Sequence, residues 1–170
     1  MVEEYEMVSL NDKQMTNFRI THEIYTSLHK LYHGPIPSGA EREYWEAKVI
    51  SAFAAQPFFN LPQKKSVLYT GKISKNALKT PKKDRVNEHR FPRRAWLKWR
   101  LFEAPEHVPL DEFMRLYWEE GGTYNITTKK ENAMLEVYYG GKPDSAIYDG
   151  GDLAYREVGI ELVDDPDYGS

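Results

Sequence analysis

Cysteine is absent from the 170 residues of this chain. That excludes disulfides, thiolate nucleophiles, iron–sulfur clusters and cysteine-ligated zinc, so any metal must be held by His, Asp, Glu or Asn. No run of about 18 apolar residues occurs, so a membrane-spanning helix is not expected. The opening residues Met1-Val2-Glu3-Glu4-Tyr5-Glu6 are acidic where an export signal is basic and then apolar, which predicts a cytoplasmic protein. Internal repeats and low-complexity tracts are also missing. What is present is a hydrophobic fraction of 41% with twelve Tyr, seven Phe and four Trp, enough for one core and one domain's worth of chain.

The net charge of −3 hides a lopsided distribution. Residues 1–62 are net −3, residues 63–100 net +11 and residues 101–170 net −11. More than half of the positive charge therefore sits in less than a quarter of the length. Such a block suits a polyanion, because each neutralised phosphate releases condensed counterions. Phe91, Trp96 and Trp99 interleave the charges and could stack on bases. The plainer alternative is a solvated face paired with the acidic C-terminal part.

Apolar and aromatic residues recur at helical spacing from Asn17 to Tyr32, and Gly34-Pro35-Ile36-Pro37 ends the pattern. Ser38 and Glu41 have the spacing of a capping box for a second helix through Phe53, ending before Pro57. Ser66 to Thr70 reads as a strand. Residues 72–85 read as an exposed loop or short helix, and Val86 to Phe91 is extended by preference before Pro92. Arg93 to Phe102 can then turn helical, and a further helix is expected from Pro109 to Gly121-Gly122. Thr123 to Thr127 fits a strand, followed by a helix from Lys129 to about Tyr138 with Thr128 as N-cap and Glu131 at the reciprocal position. Ala146-Ile147-Tyr148 and Val158-Gly159-Ile160 read as edge strands, and Asp164 to Asp167 as a frayed tail. The expected class is α+β, divided into an N-terminal helical scaffold (1–62), a basic core (63–140) and an acidic C-terminal, β-containing extension (141–170).

His22, His29 and His33 share roughly one face of the first helix, but Thr26 stands where a His-Glu-x-x-His zinc motif needs its second histidine. His107 has no evident partner in sequence. His89 differs, because Glu88 precedes it at the end of an expected strand inside the basic block. A histidine can take a proton from attacking water while an adjacent carboxylate binds a divalent cation, a combination suited to phosphodiester cleavage. On a regular strand the two side chains point to opposite faces, so convergence requires a bend or strand end.

The second half of the pattern is Tyr124-Asn125-Ile126-Thr127-Thr128-Lys129-Lys130-Glu131-Asn132-Ala133-Met134-Leu135, a strand, a cap and a helix start with an asparagine on each element. Together with Glu88-His89 this resembles the HNH endonucleases, the ββα-metal or His-Me finger family, over residues 84–138. The resemblance implies a ββα-metal core and metal-dependent endonuclease action on DNA. It gives His89 the role of general base, Glu88 and Asn132 those of metal ligands, and Asn125 that of holding the His89 loop in position. It puts Lys82, Lys83, Arg85, Arg90, Arg93, Arg94 and Lys98 against phosphates, and the oxygen-rich ligands imply magnesium or manganese. The chain departs from the family pattern in having Glu where an Asp is usual, in the 35 residues between His89 and Asn125, and in lacking the cysteines that often brace such domains. Two other readings stay open: a nucleic-acid-binding protein without catalysis, and an interaction protein whose basic and acidic parts pair between subunits, with a homodimer among its forms.

Overall fold

A computed structural model describes residues 10–35, 38–55, 61, 68–140 and 152–169. Helix α1 (Asp12–Tyr32) starts five residues earlier than its apolar pattern suggests. The cause is a capping box, in which the Asn11 side chain accepts from Gln14 N at 2.9 Å and the Gln14 side chain accepts from Asn11 N at 3.0 Å. Phe18, Thr21, Tyr25, His29 and Tyr32 form its buried stripe. The second helical segment, α2 (residues 40–55), includes a π turn at Glu46–Ile50. The capping box expected from Ser38 and Glu41 does not form: Gly39 occupies the N-cap position with no side-chain bond.

Four strands make a mixed sheet in the order β2-β3-β1-β4, with β1 at Tyr69–Ser74, β2 at Arg85–His89, β3 at Tyr124–Thr128 and β4 at Leu162–Asp164. β3 runs antiparallel to β2 and parallel to β1, while β4 closes the far edge antiparallel to β1. The chain is thus α+β. The 72–85 segment expected to be loop or short helix is strand as far as Ser74, then the short helix α3 (Lys75–Leu78) and a 3-10 turn at Lys82–Asp84.

Between β2 and β3 the expected helical excursion is present as α4 (residues 93–102) and α5 (residues 110–121), each ending in a π turn. These helices pack with α1 and α2 around Trp96, Phe102, Phe113 and Tyr117, all at most 1% exposed. Gly121 sits where a Cβ would stand 2.6 Å from the Trp96 ring, so only glycine lets the indole lie against this turn. The Trp96 Nε1–H donates to Glu120 at 2.9 Å, which satisfies the one polar atom of a fully buried ring.

Helix α6 (Lys129–Gly140) follows β3 directly and packs on β2 and β3. The expected Thr128/Glu131 cap is present in both directions, with Thr128 N donating to Glu131 at 2.9 Å and Glu131 N to Thr128 Oγ1 at 3.2 Å. The buried Glu131 carboxylate also accepts from Ser74 Oγ at 2.6 Å and Asn76 Nδ2 at 2.9 Å, tying the helix start to β1 and α3. A second small apolar cluster joins Leu135 of α6 to Ala154 and Tyr155 of α7 (Asp152–Glu157) and to Ile160.

The C-terminal edge strand lies a few residues beyond the 158–160 position read from sequence. The segment expected to fray is anchored: Asp165 N donates to Gly71 O at 2.8 Å and Tyr69 Oη to Asp165 at 2.8 Å. Gly71, at φ 77°, leaves room for the Tyr168 ring, which a Cβ would meet at 2.8 Å. The expected strand at 146–148, the stop before Pro57 and the start of the 66–70 strand lie outside the described residues. Among the described residues no helix is long and apolar enough to cross a membrane.

Candidate functional site

The antiparallel register of β2 and β3 places Glu88 opposite Asn125 and His89 opposite Tyr124. Side chains alternate along a strand, so Glu88 and Asn125 share the face on which α6 packs, with Tyr155 of α7 nearby, and His89 projects from the other. Their surroundings differ accordingly. Burial first, and then the charge of Glu136 on α6, push the Glu88 carboxyl up to about 7. Burial, and then the Arg93 guanidinium, push His89 down to about 4. His89 is a neutral imidazole at pH 7, away from the carboxylates. Glu88 and His89 therefore do not converge in this structure: β2 stays regular through His89, and Pro92 follows too late to bend it.

Asn132 and Glu136 stand one turn apart on α6, and Asn132 Nδ2 donates to Glu136 Oε1 at 2.9 Å. Glu88 lies in the electrostatic field of Glu136, to which Asn132 is hydrogen-bonded, on the helix side of the sheet. No group of three or more His, Asp or Glu positioned for a metal occurs among the described residues.

Asn125 is 1% exposed, and its Oδ1 accepts from the Thr70 hydroxyl of β1. Its Nδ2 has no hydrogen-bond partner, nor have the buried hydroxyls of Thr127, Tyr139 and Tyr155. Burial first raises the pKa values of both tyrosines, and the Glu88 carboxylate raises them further, which puts both phenols in the electrostatic field of Glu88. The nearby Asn125 amide favours the Tyr155 phenolate without completing a bond to it. Unsatisfied polar groups inside a protein are uncommon, and those of Asn125, Tyr139 and Tyr155 lie on the side of the sheet that bears Glu88.

The basic residues expected on phosphates divide into two groups. Lys82, Lys83 and Arg94 are exposed, with Lys82 3.8 Å from Asp167. The others have internal work: Arg85 donates to the carbonyls of Thr80 and Leu78, Arg90 faces Asp152, Arg93 lies beside His89 and Tyr117, and Lys98 forms a well-buried 3.0 Å pair with Glu46.

The other histidines form a clasp. His33, His29 and His22 on α1 bond through Nε2 to the carbonyls of Phe102 (2.6 Å), Ala104 (2.9 Å) and Val108 (2.8 Å). His107, expected to be free, shares a 2.7 Å hydrogen bond with Thr26 and stacks on Tyr25. The shared face of these residues secures the loop after α4. It is a structural use of histidine.

Sequence reasoning missed Glu136, Tyr139 and Tyr155. The spacing of Asn132 with Glu136, and of Asn132 with Tyr139 seven residues on, was a usable signal for a common helix face. Tyr155 had none, because the packing of α7 on α6 is a long-range contact. No family model, curated protein or solved structure matches the chain.

Proposed function

We propose that the protein hydrolyses phosphodiester bonds of DNA with the help of a divalent cation held by Glu88, Asn132 and Glu136. The observation that carries this reading is the Glu88 carboxyl, half-buried on the side of the sheet where α6 packs and opposed by the charge of Glu136. A second negative charge near a desolvated carboxyl raises the cost of ionising it, and a hard cation with oxygen ligands relieves that cost. Magnesium or manganese, when bound, neutralises charge on the phosphate and lowers the pKa of a bound water. Asn132 gives its amide proton to Glu136 and keeps Oδ1 for the cation. Asn125 and Thr70 brace the strand beside Glu88. Arg90, two residues beyond Glu88, offers a planar fork to a neighbouring phosphate.

The topology supports the same reading, since an antiparallel strand pair followed at once by a helix packed on both strands is a ββα arrangement. The base role expected of His89 gains no support from its place on the opposite face.

The test is incubation of supercoiled plasmid with the protein in magnesium, in manganese and in EDTA, beside Glu88→Gln at equal concentration. Metal-dependent nicking that Glu88→Gln abolishes supports hydrolysis at this site. Plasmid retarded equally by both proteins and never cut would instead support a nucleic-acid-binding protein without catalysis.

A further inference from the structure

The acidic C-terminal residues lie on the cations of the basic block. Asp152 meets Arg90 through both carboxylate oxygens at 3.4 and 3.5 Å. Asp164 pairs with Lys72 at 2.6 Å, Glu161 with Lys75 at 2.5 Å and Asp167 with Lys82 at 3.8 Å. These pairs are open to solvent, the least exposed side chain being Arg90 at 33% and the most exposed Asp164 at 88%. Exposed pairs of this kind add little to stability, because both ions remain well hydrated and salt screens them. Their larger effect is on the charge that an incoming polyanion meets.

We propose that the acidic segment 152–167 is an intramolecular competitor for nucleic-acid phosphates, its carboxylates occupying the cations that would otherwise contact the backbone. This rests on the nucleic-acid reading above and adds the regulation of that surface. Arg90 is the clearest case. Its fork, suited to two phosphate oxygens, holds the two oxygens of Asp152 at long distances, in a contact easily exchanged. A cation already paired with a carboxylate gains less from a phosphate, so fewer effective contacts form and binding is weak with a shallow salt dependence. The backbone of the segment need not leave. β4 is held to β1 by its ladder, and Tyr168 stays over Gly71. Neutralising the side chains alone therefore opens the surface.

The experiment measures binding of a labelled duplex by fluorescence anisotropy across a salt series, in EDTA, with the full chain. The triple variant Glu161→Gln, Asp164→Asn, Asp167→Asn is expected to bind about tenfold tighter at low salt, with the slope of log affinity against log salt steeper by about two to three. Asp152→Asn alone is expected to give a gain of about threefold by freeing one cation. A control, Glu23→Gln, Glu43→Gln, Glu106→Gln, changes net charge equally at exposed carboxylates outside these pairs and is expected to change affinity less than about twofold. The proposal is overturned if the triple variant binds like the unmodified protein at every salt concentration, if the control gains as much as the triple variant, or if none of the proteins binds. Binding is read without metal, so a gain in affinity accompanied by no cleavage in the plasmid assay would count against hydrolysis alone.

Discussion

Glu88 stands opposite Asn125 in the β2–β3 pair, on which α6 packs. The register sets a carboxyl with unusually high proton affinity across from an amide whose Nδ2 lacks a partner. Both properties follow from burial on one face of a short sheet.

The first expectation concerns pH. Glu88 has a folded-state pKa of about 7 against an ordinary 4.5, so its proton stabilises the fold fully below the ordinary value, and that contribution is lost as pH rises through 7. The difference corresponds to on the order of 3 kcal/mol. Glu88→Gln should therefore melt at a higher temperature than the unmodified protein at about pH 8, with a flatter profile between about pH 5 and 8. Equal melting temperatures at alkaline pH would mean that Glu88 is well solvated.

His89 behaves in the opposite sense. Its pKa is depressed to about 4 from 6.5, so the stability of the neutral ring is complete above 6.5 and disappears as pH falls toward 4. Its ring resonances should not titrate between about pH 5.5 and 8 in an NMR series. Because the ring lies on the other face, His89→Asn should retain far more cleavage than Glu88→Gln in any preparation that remains folded. A folded His89→Asn protein as inactive as Glu88→Gln would restore His89 to the reaction.

Tyr155 offers a stability test with an uncommon sign. Its hydroxyl is buried and unpartnered, so Tyr155→Phe removes a desolvated group and breaks no completed bond. The variant is expected to be as stable as the unmodified protein or more stable by about 1 kcal/mol, measured by urea denaturation. Destabilisation beyond about 1 kcal/mol would show that the hydroxyl has a hydrogen-bond partner.

The histidine clasp gives a local prediction. His29 is buried, and burial first, then its neighbour His33, lowers its pKa against the opposing Ala104 hydrogen bond. Its contribution is present above the ordinary value of 6.5 and is lost as pH falls below it. His29→Ala should cost about 1–3 kcal/mol by opening a cavity and stranding the Ala104 carbonyl. Amide exchange should rise selectively in residues 102–108, and uniform exchange along the chain would contradict a local clasp.

Much of the fold was legible because local signals agreed with it. The periodicity of α1, the Thr128/Glu131 cap and the proline and glycine punctuation around 92–122 each act within a few residues. The Asn11 cap was missed because it precedes the apolar pattern. The Ser38 cap failed because Gly39, at φ 73°, takes the N-cap position. Strand alternation already implied that Glu88 and His89 diverge, and the regular β2 keeps them apart. Glu136 and Tyr155 were out of reach because their proximity to Glu88 depends on how α6 and α7 dock on the sheet. The anchoring of Asp165 likewise depends on Tyr69, far away in sequence.

The central claim is that Glu88 anchors a cation site on the helix side of the sheet. The most direct measurement is a manganese titration followed by electron paramagnetic resonance, with the unmodified protein and Glu88→Gln compared at pH 8. Saturable loss of the free-ion signal in the unmodified protein, strongly weakened in Glu88→Gln, is the expected result. Identical titrations for the two proteins, with or without binding, would contradict it.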